Sequence, residues 1–112
     1  MHIPVLTHNK IMRLLNINNI ICIEIVDRSF VFYTTNNKYY EIKKLDDVLI
    51  ALESRGFKKI NSNQIINIQK IKRFDKQTGV ITYINSQFSF IVATRKRREI
   101  SEAVGNIRQN LE

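Results

Sequence analysis

Residues Phe57 to Phe74 read FKKINSNQIINIQKIKRF. The stretch contains no acid, and Lys58, Lys59, Lys70, Lys72 and Arg73 give it five positive charges. Ile60, Ile65, Ile66, Ile68, Ile71 and Phe74 supply apolar anchors, spaced for short strands around Lys58–Ile60, Ile65–Ile66 and Gln69–Phe74. Between the first two lies Asn61-Ser62-Asn63-Gln64, four side chains that can each donate and accept hydrogen bonds. Fixed positive charge attracts phosphates without reading sequence, whereas amides and hydroxyls can read base edges. Nucleic acid is therefore the first partner to consider.

The strand pattern continues outward on both sides. Downstream, Lys76-Gln77-Thr78-Gly79 forms a turn, and Val80–Ile84 and Gln87–Val92 form a hairpin around Asn85-Ser86. Upstream, Lys10–Asn16 reads as a first strand, and Ile20–Ile42 as a three-strand meander broken at Asp27-Arg28-Ser29 and at Asn36-Asn37. Two segments change period. Leu45, Val48, Leu49 and Leu52 fall on one helical face, with Asp46 and Asp47 in the first turn, Arg55 in the last and Gly56 as the stop. Ile100, Val104, Ile107 and Leu111 predict a C-terminal helix docked by one apolar stripe. The expected fold is mainly β with minor α: short antiparallel sheets, one short mid-chain helix and a C-terminal helix. Residues 1–9, which hold His2 and His8, are expected to be a flexible lead-in to a domain over 10–112.

Composition narrows the function. The formal net charge is +8, and it is unevenly placed. Residues 1–56 hold seven Lys/Arg against six acids, whereas residues 57–112 hold eleven against four. A polyanion-facing second half explains that asymmetry better than general solubility does. The single cysteine, Cys22, sits in the run Ile20-Ile21-Cys22-Ile23 and reads as a small buried hydrophobe. With no internal disulfide possible, no signal-peptide core in MHIPVLTHNK and no apolar run near the ~20 residues of a membrane span, a cytoplasmic protein is expected. No zinc-spaced Cys/His cluster, phosphate-cradling glycine loop or nucleophile–base pair stands out, so neither a cofactor nor an enzymatic activity is expected. Glu24, within an apolar strand, reads as an outward-facing residue.

The order of these pieces carries a resemblance. Ile23-Glu24 closing a strand, the helix Leu45–Leu52, Phe57 before the polar cluster, Ile65-Ile66-Asn67 with Ile71, and Thr94-Arg95 before a basic helix together resemble the LytTR DNA-binding domain of bacterial transcription regulators. The resemblance covers about Lys10 to Ile107. It implies a response-regulator-like, double-stranded DNA-binding domain whose loops, at Asp27–Phe30, Asn61–Asn63 and Thr94–Lys96, enter successive grooves. Arg28, Ser29, Asn61, Ser62, Asn63 and Arg95 become the candidates for base contacts. Lys58, Lys59, Lys70, Lys72, Arg73, Lys96, Arg97 and Arg98 become the candidates for phosphate contacts. Asn67 is expected to close a turn behind the middle loop. That loop departs from the family's usual His-Arg-Ser or His-Asn-Ser, since Ser62 is shorter at the central position.

The resemblance further implies direct-repeat half-sites occupied by two copies of the chain, and no small-molecule substrate. The 112 residues leave no room for the receiver domain that many relatives carry, so control is expected to come from elsewhere: abundance, a regulatory partner protein or a separate sensor. Two other classes stay open on sequence alone. The basic C-terminal helix could lie on an anionic membrane, although there is no Trp to act as a wedge. Alternatively Phe30, Phe32, Tyr39 and Phe74 could stack on single-stranded nucleic acid if their rings were exposed.

Overall fold

A computed structural model describes residues 1–42 and 52–111, with side chains through residue 105. Of the expected helix Leu45–Leu52, residues 45–51 lie outside the described residues. Leu52 and Glu53 have helical backbone, and the Arg55 amide donates to the Leu52 carbonyl at 2.9 Å. Gly56 follows with φ +91°, the left-handed conformation expected of a helix stop.

The strands of the first half are β1 (His2–Leu6), β2 (Met12–Asn16), β3 (Cys22–Val26), β4 (Ser29–Tyr33) and β5 (Lys38–Glu41). After the helical residues come β6 (Phe57–Asn61), β7 (Gln64–Asn67), β8 (Ile71–Phe74), β9 (Val80–Tyr83) and β10 (Ser89–Ile91). Helix α1 (Arg97–Leu111) closes the chain. Seven strands form one sheet in the order β2-β1-β5-β4-β3-β7-β6, and three form a second in the order β10-β9-β8. Every pairing is antiparallel. The mainly β expectation and the meander over Ile20–Ile42 both hold.

Consecutive buried residues explain the layering. Successive side chains on a strand point to opposite faces, yet Cys22 and Ile23, Phe32 and Tyr33, and Ile65 and Ile66 are all buried. The centre of the large sheet is therefore covered on both sides. Ile23, Phe32 and Ile65 join Val5, Leu15, Leu52 and Phe57 in one core. Cys22, Tyr33 and Ile66 face the other, where Ile71, Ile81 and Tyr83 of the small sheet and Ile100 and Val104 of α1 pack against them. Ile100 and Val104 are the buried half of the predicted apolar stripe. Ile107 and Leu111 lie beyond the described side chains.

The first residues differ from expectation. Rather than a flexible lead-in, His2–Leu6 pair with β2 from His2↔Asn16 to Leu6↔Met12 and with β5 at Val5↔Glu41 and Leu6↔Tyr40. Ile3 and Val5 are buried. Those two side chains hold the segment in place, because each covers apolar surface that the next core would otherwise expose.

One buried polar residue organises the route from β7 to β8. Asn67 is 3% exposed; its Nδ2 donates to the Ile20 carbonyl at 2.8 Å and its Oδ1 accepts from the Gln69 amide at 3.2 Å. Asn67 thereby caps the 3-10 turn Ile68–Lys70, the closing role the sequence suggested.

Candidate nucleic-acid interface

The β3–β4 and β6–β7 turns emerge from the same end of the large sheet. Glu24 pairs with Gln64, so the end of β3 lies beside the start of β7. One step further on, the Ile25 amide donates to the Asn63 carbonyl at 2.7 Å. Two of the three sequence-predicted contact loops thus lie side by side, the second hydrogen-bonded to the strand that leads into the first.

The first of them is a two-residue hairpin loop, with Val26 opposite Ser29 and both loop residues at positive φ: Asp27 at 50° and Arg28 at 67°. This is the mirror-type turn for which Asp-Gly is the favoured pair, since glycine alone avoids the steric cost. Here an arginine stands in the glycine's place. Arg28 and Ser29 are exposed, and Glu41 Oε2 steadies the following strand by accepting from the Phe30 amide at 2.7 Å. Glu41 is a supporting residue that the sequence did not reveal, because it acts across two strands.

In the second turn Asn61 is occupied at both ends of its side chain. Its Oδ1 accepts from the Asn63 amide at 3.0 Å and its Nδ2 donates to Gln64 Oε1 at 3.1 Å. It shapes the turn, an Asx arrangement, and leaves Ser62 and Asn63 exposed at the tip.

The third segment, Thr94–Lys96, is a 3-10 turn leading into α1. The four basic residues Arg95–Arg98, two in this turn and two opening α1, divide into different roles. Lys96 Nζ lies 3.4 Å from Glu99, and Glu99 also meets Lys58 of β6 at 2.9 Å. The hydrogen bonds from Lys58 and then Lys96 hold the Glu99 carboxyl below the ordinary glutamate range. This pair of contacts sets the third segment beside the strand that leads into the second turn. Arg98 pairs with Glu102 at 3.2 Å, and Arg97 donates to two backbone carbonyls, those of Val92 and Gln77. Arg95 is exposed and makes no hydrogen bond or ion pair among the described residues.

The remaining phosphate candidates are scattered. Lys59, Lys72 and Arg73 are exposed, the latter two on β8 in the small sheet. Lys70 lies by Asn19, Thr34 and Thr35, at the start of β3 and the end of β4. That is the end of the large sheet opposite the two neighbouring turns.

Buried ionisable groups offer little chemistry. The Cys22 thiol and the Tyr83 hydroxyl are neighbours in the core, and burial pushes both well above their ordinary ranges. A thiol so held has almost no thiolate and is a poor nucleophile. Glu24, half-buried, accepts a hydrogen bond from Tyr33, whose hydroxyl is raised by burial and then by that contact. No group of three His, Cys, Asp or Glu that could hold a metal occurs among the described residues. Nor, among them, is any helix long and apolar enough to cross a membrane. Phe32 is fully buried, and Phe30, Tyr39 and Phe74 pack against the two cores. Burial of Phe32 and partial burial of the other three count against a stacking platform for single strands.

The domain is thus a two-sheet β fold that carries basic and amide-bearing turns at its surface. The LytTr DNA-binding domain family matches residues 10–105, and the chain belongs to that family. A LytTr DNA-binding domain from Bacillus cereus superposes with a TM-score of 0.72 at 13% identity, over 93% of this chain and 96% of that one. The comparison with curated proteins finds no match. Family membership makes this a DNA-binding domain of the transcription-regulator type.

Proposed function

We propose that the protein is a cytoplasmic transcription regulator that reads double-stranded DNA by sequence, one half-site per monomer, with two copies on direct repeats. Arg28, Ser29, Ser62, Asn63 and Arg95 meet base edges, and Asn61 sets the shape of the middle loop. Lys59, Lys72 and Arg73 meet phosphates, with Lys70 a contact only where the DNA reaches the far end of the sheet. Lys58, Lys96 and Arg98 exchange their glutamate partners for phosphate on binding, a substitution of one anion for another. The observation that carries this reading is the side-by-side placement of the first two turns by the Ile25–Asn63 bond, with exposed Arg28, Ser62 and Asn63 around it. A regulatory partner protein would supply the signal.

Selection of bound duplexes from a random pool tests the proposal. The expected outcome is a short motif repeated head to tail, bound with a log–log salt slope of roughly −4 to −5 for about five neutralised phosphates. Enrichment of no motif, or a slope near zero, would overturn it. An inverted repeat would overturn the direct-repeat arrangement alone.

A further inference from the structure

We propose that Arg97 is a positioning residue, which holds the Thr94–Lys96 turn in place so that Arg95 meets the DNA in one orientation. The inference rests on the reading of Arg95 as a base-contacting residue. The Arg97 side chain reaches back over the small sheet. Its Nε donates to the Val92 carbonyl at 3.0 Å and its Nη1 to the Gln77 carbonyl at 2.5 Å. Its own amide donates to the Thr94 carbonyl, closing the 3-10 turn from behind. Main chain and side chain of one residue therefore tie the turn to two other points of the backbone.

The surroundings are built to receive that guanidinium. Gly79, at φ +80°, lies beneath it, and a Cβ there would come within 2.5 Å of both Arg97 Nε and the Val92 carbonyl oxygen. The Gly79 amide donates to the Asp75 carbonyl at 2.7 Å, and the Gly79 carbonyl accepts from the Val92 amide at 2.8 Å. Asp75 Oδ1 in turn accepts from the Gln77 and Thr78 amides. The carbonyls that Arg97 grips are thus themselves fixed. The 3-10 turn has no side-chain cap at Ala93, and the Arg97 guanidinium, by donating to the Val92 and Gln77 carbonyls, ties the far end of the turn to the small sheet instead.

A guanidinium directed at two carbonyls in a fork is a geometry that lysine does not reproduce. A phosphate contact, by contrast, needs mainly the charge. Arg97→Lys, Arg97→Met, Arg95→Lys and the double variant Arg95→Lys/Arg97→Lys separate the two roles, measured on a selected duplex and a scrambled one over a range of salt. The proposal expects Arg97→Lys and Arg97→Met to lose discrimination alike, by on the order of tenfold, with the salt slope unchanged. The double variant should lose no more than Arg95→Lys alone, since both act through one contact. A silent Arg97→Lys with an Arg97→Met slope shallower by about one would make Arg97 a phosphate contact and overturn the proposal. Amide exchange of the free protein gives a readout that needs no DNA. Lys96 and Arg97 amides should exchange faster in Arg97→Lys, and unchanged exchange overturns the tether whatever the DNA measurements give. If Arg95→Lys leaves discrimination intact while exchange accelerates, the base-reading role of Arg95 fails and the tether stands without its functional consequence.

Discussion

The Ile25 amide and the Asn63 carbonyl, 2.7 Å apart, join a strand to a turn more than thirty residues away in the chain. The bond sets the β6–β7 turn, with Ser62 at its exposed tip, beside the end of β3 and close to the β3–β4 turn. Ser62→Ala removes a hydroxyl without touching the turn's own hydrogen bonds, which run through Asn61. Discrimination between selected and scrambled duplex should fall by about 0.5–1.5 kcal/mol, with scrambled-duplex affinity unchanged. If the site selected by Ser62→Ala is the same as that of the parent and equally tight, the tip does not touch bases.

Arg28 holds φ at 67°, where most side chains are strained and glycine is not. Arg28→Gly should therefore stabilise the fold by about 1 kcal/mol in denaturant unfolding, because relief of the left-handed strain outweighs glycine's added chain entropy. The same variant should bind the selected duplex more weakly. Gain of stability together with loss of binding is the signature of strain kept for function. Loss of stability would mean that the arginine stem makes packing contacts outweighing the strain.

Asn67 is a structural residue, and its replacement should separate stability from recognition. Asn67→Ala takes the donor from the buried Ile20 carbonyl and the cap from the Ile68–Lys70 turn. Destabilisation of about 1–3 kcal/mol is expected, with base preference unchanged, since Asn67 lies at the end of β7 away from the Asn63 turn. A changed base preference at equal stability would place Asn67 in the interface instead.

Asp75 gives the fold a pH dependence with a definite sign. Hydrogen bonds from the Thr78 and Gln77 amides, in that order, hold its carboxyl below its ordinary value of 3.8. A carboxyl with a depressed folded-state pKa contributes stability that is fully present above the unfolded value and is lost as pH falls through the folded one. Parent stability should thus decline more steeply below about pH 4 than that of Asp75→Asn, whose side chain does not titrate. Parallel curves for the two proteins between pH 5 and pH 2 would show that Asp75 contributes nothing to acid sensitivity.

Much of this architecture is legible in the sequence wherever the signal is local. The turns at Asn36-Asn37, Lys76–Gly79 and Asn85-Ser86, the stop at Gly56 and the stripe Ile100–Val104 all declare themselves within a few residues. Ile65-Ile66 is legible in a different way, since two adjacent apolar residues on a strand announce a sheet buried on both faces. β1 is not legible. A five-residue run holding Pro4 has no local reason to be a strand, and becomes one because Ile3 and Val5 find a core assembled from residues far along the chain. The site divides in the same manner. Lys96 with Glu99 and Arg98 with Glu102 stand at helical spacing and can be read from the sequence. Arg97 cannot, because its partner carbonyl at Gln77 lies twenty residues away and belongs to the backbone.

Base reading through exposed loop side chains turns most directly on Arg95. Among the described residues Arg95 is the member of its basic run left without an internal partner, and arginine can present two parallel donors to guanine O6 and N7. Arg95→Lys keeps the charge and removes the fork. Measured at one salt concentration, the variant should lose about 1–3 kcal/mol on the selected duplex and almost nothing on a scrambled one. Equal losses on the two duplexes, or none on either, would contradict base reading at this position and reduce Arg95 to one more phosphate-facing charge.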